Sequence, residues 1–366
     1  MSSVFSERIR AAFAPPAYLA ASLSGIDIST SGVKVARLVE TAHGLVLGRY
    51  AQVRLPLGVY TDGEIIDRSA IAGALVTAAK EAGITIANVA LPESKSYLFE
   101  ASATGTKKEE WRIAIEQHLD ELVPLPPPET AFDIVNVGEN KQGDAIVAGI
   151  GFARRVVDDT LSVFDQADIA VASLEGEPFA MARALLPVGD TSTALIIDVG
   201  KTTTKMVIVT GRIPRFATTI GIGGHALTLA VQKHFGVTEA EARKVKAERG
   251  IVPAPGNEDY LAAMLSTVSA IRDEISRRLD YWQEKAPLSG HEPVSHAILA
   301  GGNASIRGLP EYLEGYLRIP VVAGNVFTNL ASCDTWIPAL DYTESLAYAT
   351  AIGLALRDSV VLTGYA

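Results

Sequence analysis

Two aspartates, 171 positions apart, stand in the same local pattern. Asp27 ends the apolar run Gly25-Ile26-Asp27-Ile28 and is followed by Ser29, Thr30 and Ser31, with Lys34 seven positions on. Asp198 ends Ile196-Ile197-Asp198-Val199 and is followed by Gly200, Lys201, Thr202, Thr203 and Thr204, with Lys205 again seven positions on. Small residues let backbone N–H groups close on phosphate oxygens. A carboxylate at a strand end can hold the waters of a phosphate-bound Mg²⁺. One Gly/Ser/Thr turn between strands is common without any ligand. Two in matching register point to duplicated lobes gripping one nucleotide from opposite sides. On that reading Ser29, Thr30, Ser31, Lys34 and residues Gly200 to Thr204 meet the phosphates of ATP, and Asp27 and Asp198 stand by the Mg²⁺.

Three further spots carry chemistry. Gly301-Gly302-Asn303-Ala304-Ser305 follows an apolar run and precedes a helix pattern. Paired glycines admit close backbone approach. Alone the string reads better as a plain strand–helix turn, but downstream of two phosphate hairpins Gly301, Gly302, Ala304 and Ser305 are where an adenosine could sit. Gly223-Gly224 opens another helix, whose free N–H groups suit anions or sugar hydroxyls. Glu177, about twenty residues before the second hairpin, is a candidate catalytic carboxylate that orients an attacking water. It also reads as the start of a helix with Pro178 in its first turn.

These residues need elements to hold them. Residues 19–40 read as two strands around Asp27, 44–55 as a third, and 69–82 as an amphipathic helix burying Ile71, Leu75, Ala78 and Ala82. The second copy repeats this order, with two strands over 194–209, a third over 215–220 and a helix over 225–235. Between the copies, 86–173 reads as an inserted αβ unit. It holds strands near 89–91, 97–101, 131–137 and 144–152, and helices over 107–121 and 156–167. The prolines at 124 and 126–128 exclude helix between them. Helices over 240–249 and 257–285 form an α-rich insert, 236–292, in the second lobe. The expected division is an N-terminal segment 1–19; a lobe-one core of 20–85 and 174–192 with a C-terminal helix in 343–366; and a lobe-two core of 193–235 and 293–342. The final helix, near 343–357, is apolar enough to lie between the lobes.

Composition narrows the function. The chain has 366 residues, 48% of them hydrophobic and 20% charged, which fits more than one packed core. A net charge of −10, with no basic run to offset it, argues against a nucleic-acid surface. A single cysteine, Cys333, excludes an intrachain disulfide and fits a reducing compartment. The six histidines show no metal-ligand spacing. No stretch reads as a membrane span. Phe5, Ile9 and Phe13 recur at helical spacing near the start, which suits a self-packed terminus better than a membrane contact.

With these residues in place, the chain resembles the actin-like ATPase superfamily. The Asp27 hairpin, the Asp198 hairpin and Gly301-Gly302 look like its two phosphate motifs and its adenosine motif. Glu177-Pro178 resembles its connecting helix. Within it, Ala90-Leu91-Pro92, Leu122-Val123-Pro124-Leu125 with Asp133, Glu177-Pro178-Phe179-Ala180 and the insert after the first unit are most similar to the PilM-like type IV pilus assembly proteins, with FtsA next. The resemblance implies an actin-like (ribonuclease H-like), duplicated two-lobe α/β fold. It implies an ATP-binding scaffold with at most slow hydrolysis, peripheral on the inner face of the cytoplasmic membrane. The implied partner is the cytoplasmic tail of a PilN-like membrane protein, held in an apolar groove beside Leu91; membrane contact runs mainly through that partner, and self-association is a further option. Lys246, in Ala242-Arg243-Lys244-Val245-Lys246, resembles the family's ribose contact, although Arg243 stands where Glu is usual. Ser29 and Lys201 replace glycine or alanine in the two loops. An FtsA-like division protein is the nearer alternative, but such chains continue past the last helix into a basic membrane anchor. A sugar-kinase-like enzyme needs a substrate carboxylate that no residue supplies.

Overall fold

The computed structural model describes residues 23–362, so the N-terminal pattern of Phe5, Ile9 and Phe13 lies outside the described residues. Strands Ser24–Ser29 (β1), Gly32–Thr41 (β2) and Gly44–Arg54 (β3) form an antiparallel meander. A small hairpin, Tyr60–Thr61 (β4) with Glu64–Ile65 (β5), leads into helix Arg68–Ala82 (α1). Asp67 caps that helix by accepting from the Ala70 N–H at 3.0 Å, and Gly83 ends it in the left-handed region. Ile71, Leu75 and Ala78 then pack on Ile26, Val33 and Val35 of the meander.

Strands Ile86–Leu91 (β6) and Ala170–Gly176 (β10) complete this sheet as parallel neighbours, in the order β10-β6-β1-β2-β3. This corrects the expected 86–173 insert. Its first strand belongs to lobe one, as does helix Arg154–Gln166 (α3), whose Val163 and Phe164 are buried with α1. Parallel pairing joins segments far apart in sequence, so no local pattern announces it. What remains inserted is a separate antiparallel sheet of Ser96–Ala103 (β7), Thr130–Glu139 (β8) and Ala145–Ala153 (β9), in the order β7-β9-β8. Helix Lys108–Glu116 (α2) covers it, stopping short of the expected 121.

After helix Glu177–Leu185 (α4), lobe two repeats the plan. Strands Thr193–Val199 (β11), Thr204–Thr210 (β12) and Ile213–Ile220 (β13) form the meander. His296–Ala300 (β14) and Val321–Ala323 (β15) add in parallel, giving β13-β12-β11-β14-β15. The two sheets therefore have one topology, which is the actin-like duplicated two-lobe α/β fold. Helices Gly224–Phe235 (α5), Glu239–Arg249 (α6) and Glu258–Lys285 (α7) pack together on lobe two, followed by Leu309–Leu317 (α8).

The last expected helix is broken. Tyr342–Ser345 turns through a 3-10 segment, Leu346–Tyr348, into Ala349–Ala355 (α9). Ala351, Ile352, Leu354 and Ala355 are wholly buried, and α9 shares one core with Met181 of α4, Ala36 of β2, and Ile196 and Val207 of lobe two. The helix thus lies between the lobes, and its flanking turn reaches the interlobe cleft.

Candidate functional site

Both Asp hairpins have one register. Asp27 pairs with Lys34 across β1 and β2, and Asp198 pairs with Lys205 across β11 and β12. Directly opposed residues of an antiparallel pair project on the same face, so each carboxylate and its lysine face the same cleft. The loops also meet. The Thr202 hydroxyl donates to the Thr30 hydroxyl at 2.9 Å, and Lys201 Nζ donates to the Thr30 carbonyl at 3.5 Å.

Between the lobes lies a cleft of about 410 Å³. Asp27, Ser29, Thr30, Ser31, Lys34, Glu177, Asp198, Gly200, Lys201, Thr203, Gly301, Gly302 and Ser305 all line it. Lys34 Nζ donates to Ser31 Oγ at 3.0 Å and Ser29 Oγ at 3.3 Å, with Asp27 Oδ2 at 3.6 Å. Burial in the cleft pushes the Asp198 carboxyl up, against the pull of Lys205 and Lys34. Burial and the neighbouring Arg243 push the Lys201 amine down.

Thr202, Thr204, Gly223, Gly224, Lys246 and Ala304 stand behind that lining. Thr204, wholly buried, donates to the Ile222 carbonyl at 2.8 Å. A side chain on Gly223 would lie 2.6 Å from the Thr203 nitrogen, and one on Gly224 would strike Asn303. These glycines brace the loop of the second hairpin from the rear. Lys246 Nζ spends its three donors on the Gly224 carbonyl, Thr228 Oγ1 and Asn303 Oδ1, at 3.0, 3.1 and 2.9 Å. Burial, then Arg243, pushes its amine down to about 8. It ties α6 to the loop instead of reaching into the cleft, so it differs from the expected ribose contact. Ala304 is buried in the lobe-two core.

Several cleft residues were given no role in the sequence reading. Lys205 Nζ lies 2.5 Å from Glu177 Oε2, which also accepts the Glu93 N–H at 3.0 Å. Burial alone would lower the Lys205 amine, but Glu177, Asp198 and Asp27 together raise it. Burial pushes Glu177 up, against Lys205. Glu93 accepts from the Thr219 hydroxyl, and burial pushes its carboxyl up to about 7. The symmetry of the two hairpins was the available signal for Lys205. Nothing local signalled Asn303, whose Nδ2 donates to the Gly200 carbonyl at 2.9 Å.

The residues fit a metal-bound polyphosphate. Asp27 Oδ1 is buried with no hydrogen-bond partner, and Asp198 faces the same space. No group of three or more His, Cys, Asp or Glu side chains that could hold a metal occurs among the described residues. Two carboxylates with waters and phosphate oxygens completing the shell match this donor set.

A second cavity, of about 250 Å³, opens where the inserted sheet meets lobe one. Residues Ala131 to Val135 of edge strand β8 form one wall, and Leu91, Val157, Leu174 and Phe179 form much of the other. Asp133, Glu175 and Arg357 stand among them.

The family profile for "Type IV pilus assembly protein PilM" matches residues 25–359. The chain belongs to the PilM family. Among solved structures it is similar to the PilM-PilN type IV pilus biogenesis complex, with TM-score 0.75 and 20% identity, over 92% of this chain and 98% of that one. It is also similar to MreB5 of Spiroplasma citri bound to ADP, with TM-score 0.53 and 14% identity, over 92% and 96%. The ethanolamine utilization protein EutJ from Carboxydothermus hydrogenoformans follows at TM-score 0.50 and 16% identity, over 93% and 90%. These likenesses establish the actin-like fold of this PilM family member. No helix among its described residues is long and apolar enough to cross a membrane.

Proposed function

We propose that this PilM family chain is an ATP-binding scaffold of the type IV pilus assembly platform that grips the cytoplasmic tail of a PilN-like membrane protein. The apolar groove beside β8 carries this reading. A short tail must bury side chains to offset its ordering entropy, and an open strand edge offers main-chain hydrogen bonds as well. The likeness to a PilM-PilN complex supports the same partner. Peripheral attachment to the inner membrane face follows from holding such a tail.

In the cleft, bound Mg²⁺ would neutralise phosphate charge. Asp27 and Asp198 would hold its waters, and the hydroxyls of Ser29, Ser31 and Thr203 with Lys34 would orient the phosphates. Glu177 is the carboxylate able to direct a water, but its Oε2 is taken by Lys205 and the Glu93 N–H. Slow turnover fits that engagement, well below a typical enzyme value of ~10 s⁻¹.

The test is tail binding. Leu91 is buried in its own cluster, so a charge there would threaten folding. Val157 is half-buried on the groove wall and more suitable. Val157→Asp is expected to weaken binding of a PilN-like N-terminal peptide at least about tenfold by fluorescence anisotropy, a loss of about 1.4 kcal/mol, while ATP affinity stays unchanged. Undiminished peptide binding would move the groove elsewhere.

A further inference from the structure

Lys205 and Lys34 occupy equivalent places but are used differently. Lys34 is satisfied within its own hairpin by two serine hydroxyls. Lys205 has one hydrogen-bond acceptor among the described residues, Glu177, and its side chain lines the cleft. Its other two N–H groups make no hydrogen bond among the described residues. A lysine ammonium on a four-carbon stem can turn to a new anion without losing the old one.

The charge balance gives this a purpose. Four cations line the cleft (Lys34, Arg54, Lys201, Lys205), against five carboxylates (Asp27, Asp62, Glu177, Asp198, Glu344). The lining is therefore net negative by one, and a polyphosphate entering it must find cations deep in the cleft. Lys201 and Arg54 belong to the more open side; Arg54 is exposed and Lys201 half-buried. Lys34 and Lys205 are the inner cations, with side chains 6% and 17% exposed. Buried ammonium groups act on phosphate through a low dielectric, where each is worth more than a surface charge.

Resting on the nucleotide reading above, we propose that Lys205 is a second built-in phosphate cation, shared between Glu177 and the entering polyphosphate, so that nucleotide is retained with little dependence on a divalent metal. The test is calorimetric titration of ATP into the full chain, in Mg²⁺ and then in EDTA. The unaltered chain is expected to bind ATP in EDTA within about tenfold of its affinity in Mg²⁺. Lys205→Met combined with Glu177→Gln removes the pair without leaving either partner charged. That variant is expected to bind at least about tenfold more weakly than the unaltered chain in EDTA, and less than about threefold more weakly in Mg²⁺. Lys205→Arg keeps the charge and keeps metal-independent binding.

A loss of more than about tenfold for the unaltered chain in EDTA overturns the inference and leaves the nucleotide reading standing. So does a double variant that matches the unaltered chain in EDTA. Absence of ATP binding in both buffers defeats the nucleotide reading itself. If the double variant does not fold, the two-buffer comparison on the unaltered chain decides.

Discussion

The two Asp hairpins are alike in pattern and register yet unlike in what their lysines hold. Lys34 stays with Ser29 and Ser31 of its own loop, whereas Lys205 crosses to Glu177 at the head of α4. Local sequence dictates the strand pair and the face on which each lysine emerges. The partner is dictated by what the rest of the fold brings to that face. Among the described residues, the lysine of the first hairpin has one ion-pair partner, Asp27 of that same hairpin. Facing the second stand Glu177 and, beside it, Glu93.

The largest expected effect breaks this asymmetry directly. Lys205→Met should lower stability at pH 8 by about 3–5 kcal/mol in denaturant unfolding, because it strands a buried carboxylate. Lys34→Met should lose at most about half as much, since its acceptors are neutral hydroxyls and its carboxylate stands at 3.6 Å. The gap should depend on pH. In Lys205→Met the buried Glu177 has a folded pKa above its ordinary 4.5, so its penalty grows as pH rises above that value and disappears below it. Equal losses for the two lysines at pH 8 would remove the asymmetry.

A smaller effect probes the support of the second aspartate. Gly301 has φ +90° and packs against Asp198 and, at 2.7 Å from a would-be side chain, the Val199 carbonyl. Gly301→Ala is expected to cost about 2–4 kcal/mol of stability. Gly315→Ala, in α8 with open space around it, should be neutral or gain up to about 1 kcal/mol. Thermal unfolding of both proteins separates these outcomes.

The third prediction sharpens the role of the acid cluster around Lys205. Glu93 is held near 7 in the fold against an ordinary 4.5. Its folded pKa is raised, so the folded state gives up stability as pH rises from about 4.5 to 7. Glu93→Gln keeps an oxygen for Thr219 and removes that cost. It should gain about 1–3 kcal/mol at pH 8 and nothing at pH 4. An identical pH profile for the two proteins would show that the carboxyl titrates normally.

Features that repeat at short range were legible in the sequence. The two hairpins, the glycine turn at Gly301 and the helix following each meander lie where their patterns put them, because strand alternation, small turn residues and caps act over a few positions. Features that depend on distant partners were not. Residues 86–91 and 170–176 give no local sign that they extend the lobe-one sheet. Gly223 and Gly224 read as an open anion site, yet they are packed against the rear of the second loop. Lys246 reads as a ligand contact, yet Thr228 and Asn303 consume its donors. In each case a residue type suited to a ligand is equally suited to a close protein contact, and only the tertiary neighbours decide between them.

The central claim is that both hairpins hold a single nucleotide between them. Calorimetric titration of Mg·ATP into the unaltered chain and into an Asp27→Asn, Asp198→Asn double variant tests it most directly. The account predicts one nucleotide per chain for the unaltered protein and affinity about three- to tenfold weaker for the double variant, with folding retained by circular dichroism. Unchanged affinity in the double variant, or no binding by the unaltered chain, would contradict it.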